Sequence, residues 1–140
     1  MSSVETNKET IRGLIQNVWN GGDLDGVSTY VAPDIVFHDA PTPNLPPGIE
    51  GVKHIPAFWR SSFPDMEITI DDLIGEGDMV VQRFRMRGTQ NGELMGVPPT
   101  GRFVEMEGIN FFRLKDGLLE ERWGIADVLS ALQQMGVLPA

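Results

Sequence analysis

The sequence predicts an α+β fold: a cone-shaped, strongly curved antiparallel sheet with helices packed on its concave side, enclosing an apolar pocket. Three observations lead to this prediction. Helical patterns dominate the first 62 residues, long alternating segments joined by glycine-rich turns fill residues 63–125, and one short helical pattern closes the chain. Because an antiparallel sheet buries one face, helices gathered on that face complete the core.

The amphipathic pattern of residues 6–20 predicts the first helix. Its apolar residues follow the three- and four-residue spacing of one buried stripe: Ile11, Leu14, Ile15, Val18 and Trp19. Thr6 is a candidate N-cap with Glu9 as its capping-box partner. Asp23 is placed to cap a second, short helix, which we expect to end at Pro33.

A short strand is predicted at residues 35–39 and a third helix at residues 52–62. Between them, residues 40–48 contain four prolines. Proline removes an amide donor and fixes φ, so this stretch is predicted to be a loop. It is either a simple linker or, as we expect in a chain of this size, a flap over the mouth of the pocket.

The second half of the chain alternates between apolar and polar residues, as strands with one buried face do. Three strands are predicted, and their inward-facing residues are Met66, Ile68 and Ile70; Val80, Gln82, Phe84 and Met86; and Met106, Gly108, Asn110 and Phe112. The Asp-Gly at residues 116–117 predicts a hairpin turn before a last strand at residues 119–125. Asp127 then begins a closing helix that ends at Gly136.

Length and composition limit the possible functions. The chain has 140 residues, which indicates one domain spanning residues 1–140, and a net charge of −9, which argues against nucleic-acid binding. Arg83, Arg85 and Arg87 alternate on one predicted strand and are expected on its solvated outer face. With no cysteine, no leader-like N-terminus and no apolar run long enough to cross a membrane, we expect a cytoplasmic protein without thiol chemistry.

Several segments together resemble one known family. They include WNGGDLD, YVAPDIVFHD and PPGIEGVK, and the most specific are FPDMEITIDDLIGEGDMVV, GELMGVPPTGR, GINFFRLKDG and LQQMG. The chain thus resembles the SnoaL-like polyketide cyclases, or ester cyclases, of the nuclear-transport-factor-2-like superfamily. The resemblance implies an α+β cone, usually dimeric, with an apolar pocket. It also implies acid–base chemistry without a metal or cofactor where members are enzymes.

Characterised cyclases of this family close a ring by an intramolecular aldol condensation, in which a carboxylate removes a proton beside a carbonyl. Their acid–base aspartate lies near the end of the last strand, and a histidine on the preceding strand assists it. A gap-free alignment through residues 116–117 and the LQQMG ending places Gly124 and Asn110 at these two positions. Neither residue can take up a proton, so the base must be sought elsewhere.

Two residues are candidates for that base. Asp127 lies three residues after Gly124, although an aspartate before an apolar helical run is also a typical N-cap. His38 lies beside Asp39 at the end of a predicted strand, and a histidine–carboxylate neighbourhood suits acid–base chemistry near neutral pH. Adjacent strand residues point to opposite faces, so only one of this pair can face the pocket. The alternative is a structural pair at the strand edge.

Two further residues are candidates for polarising a carbonyl. Asn110 places an amide on an apolar strand face, where it needs a partner in a neighbouring strand or in a ligand. Arg122 shares the face of Gly124 and would bind a carbonyl or carboxylate, or pair with Glu107 or Asp127. His54 is expected at the surface, and the histidines do not form a metal motif.

The residues predicted to contact a ligand are Asp39, Phe58, Trp59, Phe84, Met86, Phe112 and Trp123. The aromatic members are core residues by default in a small domain, and some of them are expected to line the pocket as well. The partner expected is a small, apolar, carbonyl-containing molecule. A second copy of the chain is also expected, with strand faces that carry Val81, Ile109 and Phe111 suited to a homodimer.

Three functions remain open at this point. The first is a cyclase, isomerase or lyase that performs cofactor-free acid–base chemistry on a bulky carbonyl compound such as a polyketide. The second is a non-catalytic small-molecule-binding protein, which the residues at positions 110 and 124 favour. The third is an epoxide hydrolase of the limonene type, in which Arg122 with Asp127 and Asp39 would mimic the Asp-Arg-Asp set. A ketosteroid isomerase would need a pocket tyrosine, and only Tyr30 is available.

Overall fold

The computed structural model describes residues 3–38 and 44–139. The helical elements are α1 (Ser3–Gly13), a π-helical continuation of α1 (Leu14–Asn20), a 3-10 helix (Leu24–Thr29), α2 (Gly48–Ser62) and α3 (Val128–Gln134). The strands are β1 (Val31–Phe37), β2 (Glu67–Glu76), β3 (Met79–Thr89), β4 (Phe103–Lys115) and β5 (Leu118–Ala126). None of the helices in these described ranges is long and apolar enough to cross a membrane.

The five strands form one curved, unclosed sheet in the order β1-β5-β4-β3-β2. The pairs from β2 to β5 are antiparallel, whereas β1 joins the free edge of β5 in parallel. The parallel edge pair was not apparent from the sequence. The α+β class with a curved sheet and packed helices is confirmed.

The inner face of the sheet and the helices enclose the core. Along β4 the buried positions alternate strictly with exposed or half-exposed ones, as the period of two predicted. Ile11 and Val18 of the first helical segment, with Ile55 and Trp59 of α2, pack into the same core. Arg83, Arg85 and Arg87 lie on the opposite, outer face, where they pair with carboxylates.

Both predicted aspartate caps are present. The Asp23 carboxylate accepts a hydrogen bond from the Gly26 amide at 3.1 Å, and the Asp127 carboxylate accepts one from the Ser130 amide at 3.0 Å. Gly136, at the end of α3, has the positive φ of 79° that favours glycine.

Several boundaries differ from the predictions. The first helix begins at Ser3, so Thr6 lies inside it and is not the N-cap; the additional turn places Val4 against Gly75 of β2. Pro33 does not end the second helix but lies within β1, which is an edge strand, where a missing amide donor is tolerated. The flap predicted at residues 40–48 falls partly outside the described residues, and α2 already begins at Gly48.

Candidate functional site

An apolar cavity of about 210 Å³ lies between the concave face of the sheet and the helices. We call it the inner pocket. The first helical segment and α2 form one wall, and β3, β4 and β5 form the other. Its principal apolar lining residues are Leu14, Ile15, Trp19, Val52, Ile55, Trp59, Phe84, Met86, Met106 and Phe112. This volume lies below the roughly 300–1,000 Å³ of typical ligand pockets, so a compact ligand of two or three fused rings is expected.

Three polar side chains lie on the sheet side of this pocket: Gln82 of β3, Asn110 of β4 and Arg122 of β5. The register explains why they meet. Gln82 pairs directly with Asn110, and Asn110 pairs directly with Gly124, two residues after Arg122 on the same strand face. Gln82 is 0 % exposed and Asn110 is 7 % exposed, so both amides are withdrawn from bulk water.

The three side chains form one chain of hydrogen bonds. Arg122 Nη2 donates to Asn110 Oδ1 at 3.1 Å, and Asn110 Nδ2 donates to Gln82 Oε1 at 2.9 Å. Gln82 Nε2 is buried and has no hydrogen-bond partner among the described residues. A buried amide nitrogen without an acceptor is uncommon in proteins, which makes this atom the natural contact point for a polar group of a ligand.

Glycine at position 124 allows this chain to form. A Cβ atom built on Gly124 would collide with Asn110 Oδ1 and would lie 2.8 Å from Arg122 Nη2. The Arg122 guanidinium therefore occupies the space that the side chain of any larger residue at position 124 would need. Gly108 also leaves room for a neighbouring side chain, because the ring of Phe84 lies where a Cβ atom on residue 108 would be.

His38 lies outside the inner pocket. Its ring stacks on Trp123 with a centroid distance of 4.5 Å, and its Nε2 donates to Glu121 Oε2 at 2.9 Å. This hydrogen bond, with a second one from Arg113, holds the pKa of the Glu121 carboxyl below its usual value. Trp123 and Glu121 alternate with Arg122 along β5 and therefore lie on the outer face of that strand. Because His38 contacts these two residues, its ring also lies on the outer face, away from the predicted site.

Asp127 does not line the inner pocket. Asp127 is exposed and caps α3, so the structural alternative weighed for it holds. Asp39 lies outside the described residues, and its place in an Asp-Arg-Asp set stays a prediction from the sequence.

Four residues predicted to contact a ligand do line the inner pocket: Trp59, Phe84, Met86 and Phe112. Phe58 instead lies edge-on to Trp59, at a centroid distance of 5.2 Å, and is absent from the lining. Trp123 lies on the outer face with His38. The hydroxyl of Tyr30 accepts a hydrogen bond from Asn17 at 2.6 Å and does not reach the pocket.

Sequence reasoning placed Gln82 on the inner face of its strand but did not select it as a site residue. The available signal was its alternation with Phe84 and Met86, which put an uncharged amide in an otherwise apolar row. The partner that makes this amide significant, Asn110, lies 28 residues away along the chain, and only the strand register brings the two together.

A second, shallower groove of about 660 Å³ follows the outer face of the sheet, and we call this surface the outer face groove. Its lining residues are Arg83, Glu107, Gly108, Ile109, Phe111, Trp123, Gly124, Ile125, Ala126 and Asp127. The groove is therefore mainly apolar, with charged residues at its margins.

A curved sheet covered by helices, with an apolar pocket and a few convergent polar groups between them, defines the protein as an α+β cone. The sequence model of the SnoaL-like polyketide cyclases matches residues 9–135 of the chain. The chain belongs to this family, and the resemblance stated from the sequence is confirmed.

Individual relatives agree with this membership. Nogalonic acid methyl ester cyclase of Streptomyces nogalater is 25 % identical over 122 residues, covering 86 % of this chain and 90 % of that protein. The structure of TsrD from Streptomyces laurentii has a TM-score of 0.88 and 29 % identity, covering 99 % of this chain and 100 % of that one. Wild-type IdmH of Streptomyces antibioticus has a TM-score of 0.81 and 40 % identity, covering 94 % and 99 %.

Proposed function

We propose that this protein is a polyketide cyclase that closes a ring in a compact, apolar carbonyl compound held in the inner pocket. The observation that carries the proposal is the donor chain from Arg122 through Asn110 to the buried Gln82 amide, set in an otherwise apolar wall. Family membership and the cyclase activity named for the relative from Streptomyces nogalater support the same reaction class.

The site suits the charge that develops during ring closure. In an intramolecular aldol condensation, a base takes a proton from the carbon beside one carbonyl. The resulting enolate carbon bonds to a second carbonyl carbon, whose oxygen then takes up a proton. Negative charge rests on a carbonyl oxygen at each stage, and the Gln82 amide is placed to donate to such an oxygen. The apolar walls hold the flexible substrate folded, which favours the intramolecular bond.

The proton acceptor is not supplied by the described lining, which contains no histidine, aspartate or glutamate. His38 and Asp127 are directed elsewhere. Asp39, predicted above as a ligand contact and as part of an Asp-Arg-Asp set, follows Phe37 by two residues, and Phe37 is the register partner of Arg122. We propose Asp39 as the first base to test.

The second candidate function is a non-catalytic binding protein with the same pocket. The specific observation in its favour is that positions 110 and 124, which hold the family's acid–base pair, carry an asparagine and a glycine inside the pocket. It would bind the same class of ligand and release it unchanged.

Hydrogen–deuterium exchange separates the two functions without the natural substrate. The protons beside the carbonyl of 2-tetralone, a two-ring ketone, are followed by NMR in D₂O with catalytic amounts of protein. A cyclase should accelerate the exchange, and Gln82→Leu should reduce the acceleration by about 10²-fold, as loss of an oxyanion donor does. The matched control is Gln133→Leu, which removes the same amide from α3 at the surface.

The outcomes differ clearly. Acceleration that falls in Gln82→Leu and Asp39→Asn but not in Gln133→Leu supports the cyclase. Saturable binding of 2-tetralone without accelerated exchange contradicts it and leaves the binding protein. Absence of binding to the wild-type protein contradicts the assignment of the inner pocket to carbonyl ligands.

The same proposal includes a homodimer that forms through the outer face groove. Ile109, Phe111 and Ile125 are 46 %, 48 % and 77 % exposed, and the strand register joins them into one apolar area. Arg83 and Glu107 border this area with opposite charges. A copy related by a twofold axis can set Arg83 of one chain against Glu107 of the other and the reverse, which is the reciprocal contact of an isologous interface.

A further inference from the structure

The direction of the hydrogen-bond chain in the inner pocket is determined by Arg122. A guanidinium has only donors, whereas each amide side chain offers an oxygen at one side and a nitrogen at the other. Asn110 must therefore turn its oxygen toward Arg122, which leaves its nitrogen facing Gln82. Gln82 must in turn present its oxygen to Asn110, and its nitrogen is left without a protein acceptor among the described residues.

This order follows from the chemistry of the three groups and from their distances of 3.1 and 2.9 Å. Turning Asn110 over would place its nitrogen against the guanidinium and its oxygen against the Gln82 oxygen, and turning Gln82 over would place its nitrogen against the Asn110 nitrogen. The one arrangement in which both bonds are made is the one that leaves a donor for the ligand. Because both amides are buried, water competes weakly for these bonds.

We propose that Arg122 is a positioning residue that sets the hydrogen-bonding preference of the inner pocket through Asn110 and Gln82. The pocket selects a compact, multi-ring ligand that presents an acceptor, such as a ketone or quinone oxygen, to Gln82 Nε2. A ligand of the same shape that presents only a donor to Gln82 Nε2 sets two donors against each other and binds more weakly. The inference rests on the proposed function in so far as the inner pocket takes up carbonyl compounds.

The order of the chain can be reversed by a single, nearly isosteric change. Asn110→Asp places an acceptor-only carboxylate between the two neighbours, and the adjacent guanidinium keeps it ionised. Gln82 would then have to turn its nitrogen toward that carboxylate and its oxygen toward the pocket. The pocket of this variant should accept a donor ligand in place of a carbonyl.

The test compares three tricyclic probes of similar outline in equilibrium dialysis with the full chain. 9-Fluorenone presents an acceptor, carbazole presents a donor, and fluorene presents neither. The wild-type protein should bind 9-fluorenone about tenfold more tightly than carbazole, the effect of one buried hydrogen bond made or lost. Asn110→Asp should reverse the order by a similar factor, and the dissociation constant of fluorene should stay within about twofold.

Variants at residue 122 test the role of the arginine itself. Arg122→Lys keeps a donor-only side chain and should retain the wild-type preference. Arg122→Met removes the group that orders the chain, and the preference should fall below about twofold while fluorene binding persists. These two variants also keep the inference testable if Asn110→Asp does not fold.

The inference is overturned if the wild-type protein binds 9-fluorenone and carbazole equally, or if Asn110→Asp and Arg122→Met keep the wild-type order. These results concern only the polar contact and leave exchange of 2-tetralone protons, the test of ring-closing chemistry, unaffected. A wild-type protein that binds none of the three probes, fluorene included, contradicts the pocket assignment on which both proposals depend.

Discussion

The guanidinium of Arg122 lies over Gly124, in the space that a side chain at residue 124 would fill. This relationship connects two features of the sequence that looked separate. Gly124 stands where the resemblance placed the family's acid–base aspartate, and Arg122, two residues earlier, donates to Asn110. The absence of a side chain at Gly124 thus has a structural consequence. The Arg122 guanidinium fills the space and orders the Asn110 and Gln82 amides.

Gly124→Ala should disturb this contact with little effect on the rest of the fold. The new methyl group would collide with Asn110 Oδ1 and crowd Arg122 Nη2, both of which are ends of movable side chains. We expect binding of 9-fluorenone to weaken about three- to tenfold, because the ordered donor is lost, while fluorene binding changes little. Equal affinity of wild type and variant for 9-fluorenone would show that the Arg122–Asn110 contact does not control the ligand.

Gln82→Leu should separate ligand binding from stability. The change removes a buried nitrogen without a partner, which favours the folded state, but it also deprives Asn110 Nδ2 of its acceptor, which disfavours it. Each effect is on the order of 1–3 kcal/mol, so we expect the free energy of unfolding in urea to shift by no more than about 1 kcal/mol. A loss above about 3 kcal/mol with unchanged 9-fluorenone binding would show that Gln82 is structural.

Asp127 should influence stability and not catalysis. Asp127→Ala removes the N-cap of α3 and should lower the free energy of unfolding by about 1 kcal/mol. Asp127→Asn preserves a capping oxygen and should lie near the wild type in stability. Both variants should retain the exchange rate of 2-tetralone protons. A large decrease of that rate in Asp127→Asn, with normal thermal unfolding, would restore Asp127 as the base.

Acid should weaken the fold partly through Glu121. Its hydrogen bonds to His38 and Arg113 hold the pKa of its carboxyl below the ordinary value of 4.5 in the folded state. The ionised carboxylate therefore stabilises the folded state above about pH 4.5, and this contribution is lost as the pH falls through the lowered pKa. Glu121→Gln should flatten the loss of unfolding free energy below pH 4.5.

The control for this titration is Glu76→Gln, at the exposed end of β2. It should leave the slope of unfolding free energy against pH closer to that of the wild type. The difference between the two variants should shrink in about 1 M salt, because exposed charges are screened there. If the unfolding free energy of the wild type and of Glu121→Gln falls with pH in the same way below pH 4.5, the role given to the His38–Glu121 pair is wrong.

Phe111→Glu should convert the proposed homodimer to a monomer, since it places a charge among the exposed apolar residues of the outer face groove. Sedimentation velocity across a range of concentrations measures the change. Met95→Glu, at a comparably exposed residue in the loop between β3 and β4, is the matched control and should leave the dimer intact. A wild-type protein that sediments as a monomer at all concentrations would contradict the assembly.

The fold was largely accessible to sequence reasoning because alternation and capping are local. The Asp127 cap, the Gly136 stop and the inward row of β4 each depend on a few neighbouring residues. Pro33 was misplaced because proline normally ends helices, and only the position of β1 at the sheet edge makes it compatible with a strand.

The site was less accessible because it depends on register. Alternation correctly placed Asn110 and Arg122 on the inner face. It could not show that Gln82 completes the hydrogen-bond chain, because that contact joins two different strands. His38 was misplaced because Phe37, the residue before it, lines the inner pocket, and adjacent residues point to opposite faces. Which of the two faces the pocket depends on how β1 lies on the sheet, and this has no local pattern.

The most direct test of the account is the side-chain amide signal of Gln82 in ¹⁵N–¹H NMR spectra of the labelled protein. Assignment is made by its disappearance in Gln82→Leu. With saturating 9-fluorenone, one Gln82 Nε2 proton should shift downfield as it bonds the carbonyl, whereas fluorene should leave it nearly unchanged. If 9-fluorenone perturbs Trp59 and Phe112 but not the Gln82 amide, the pocket binds rings without using the donor chain, and the central claim is wrong.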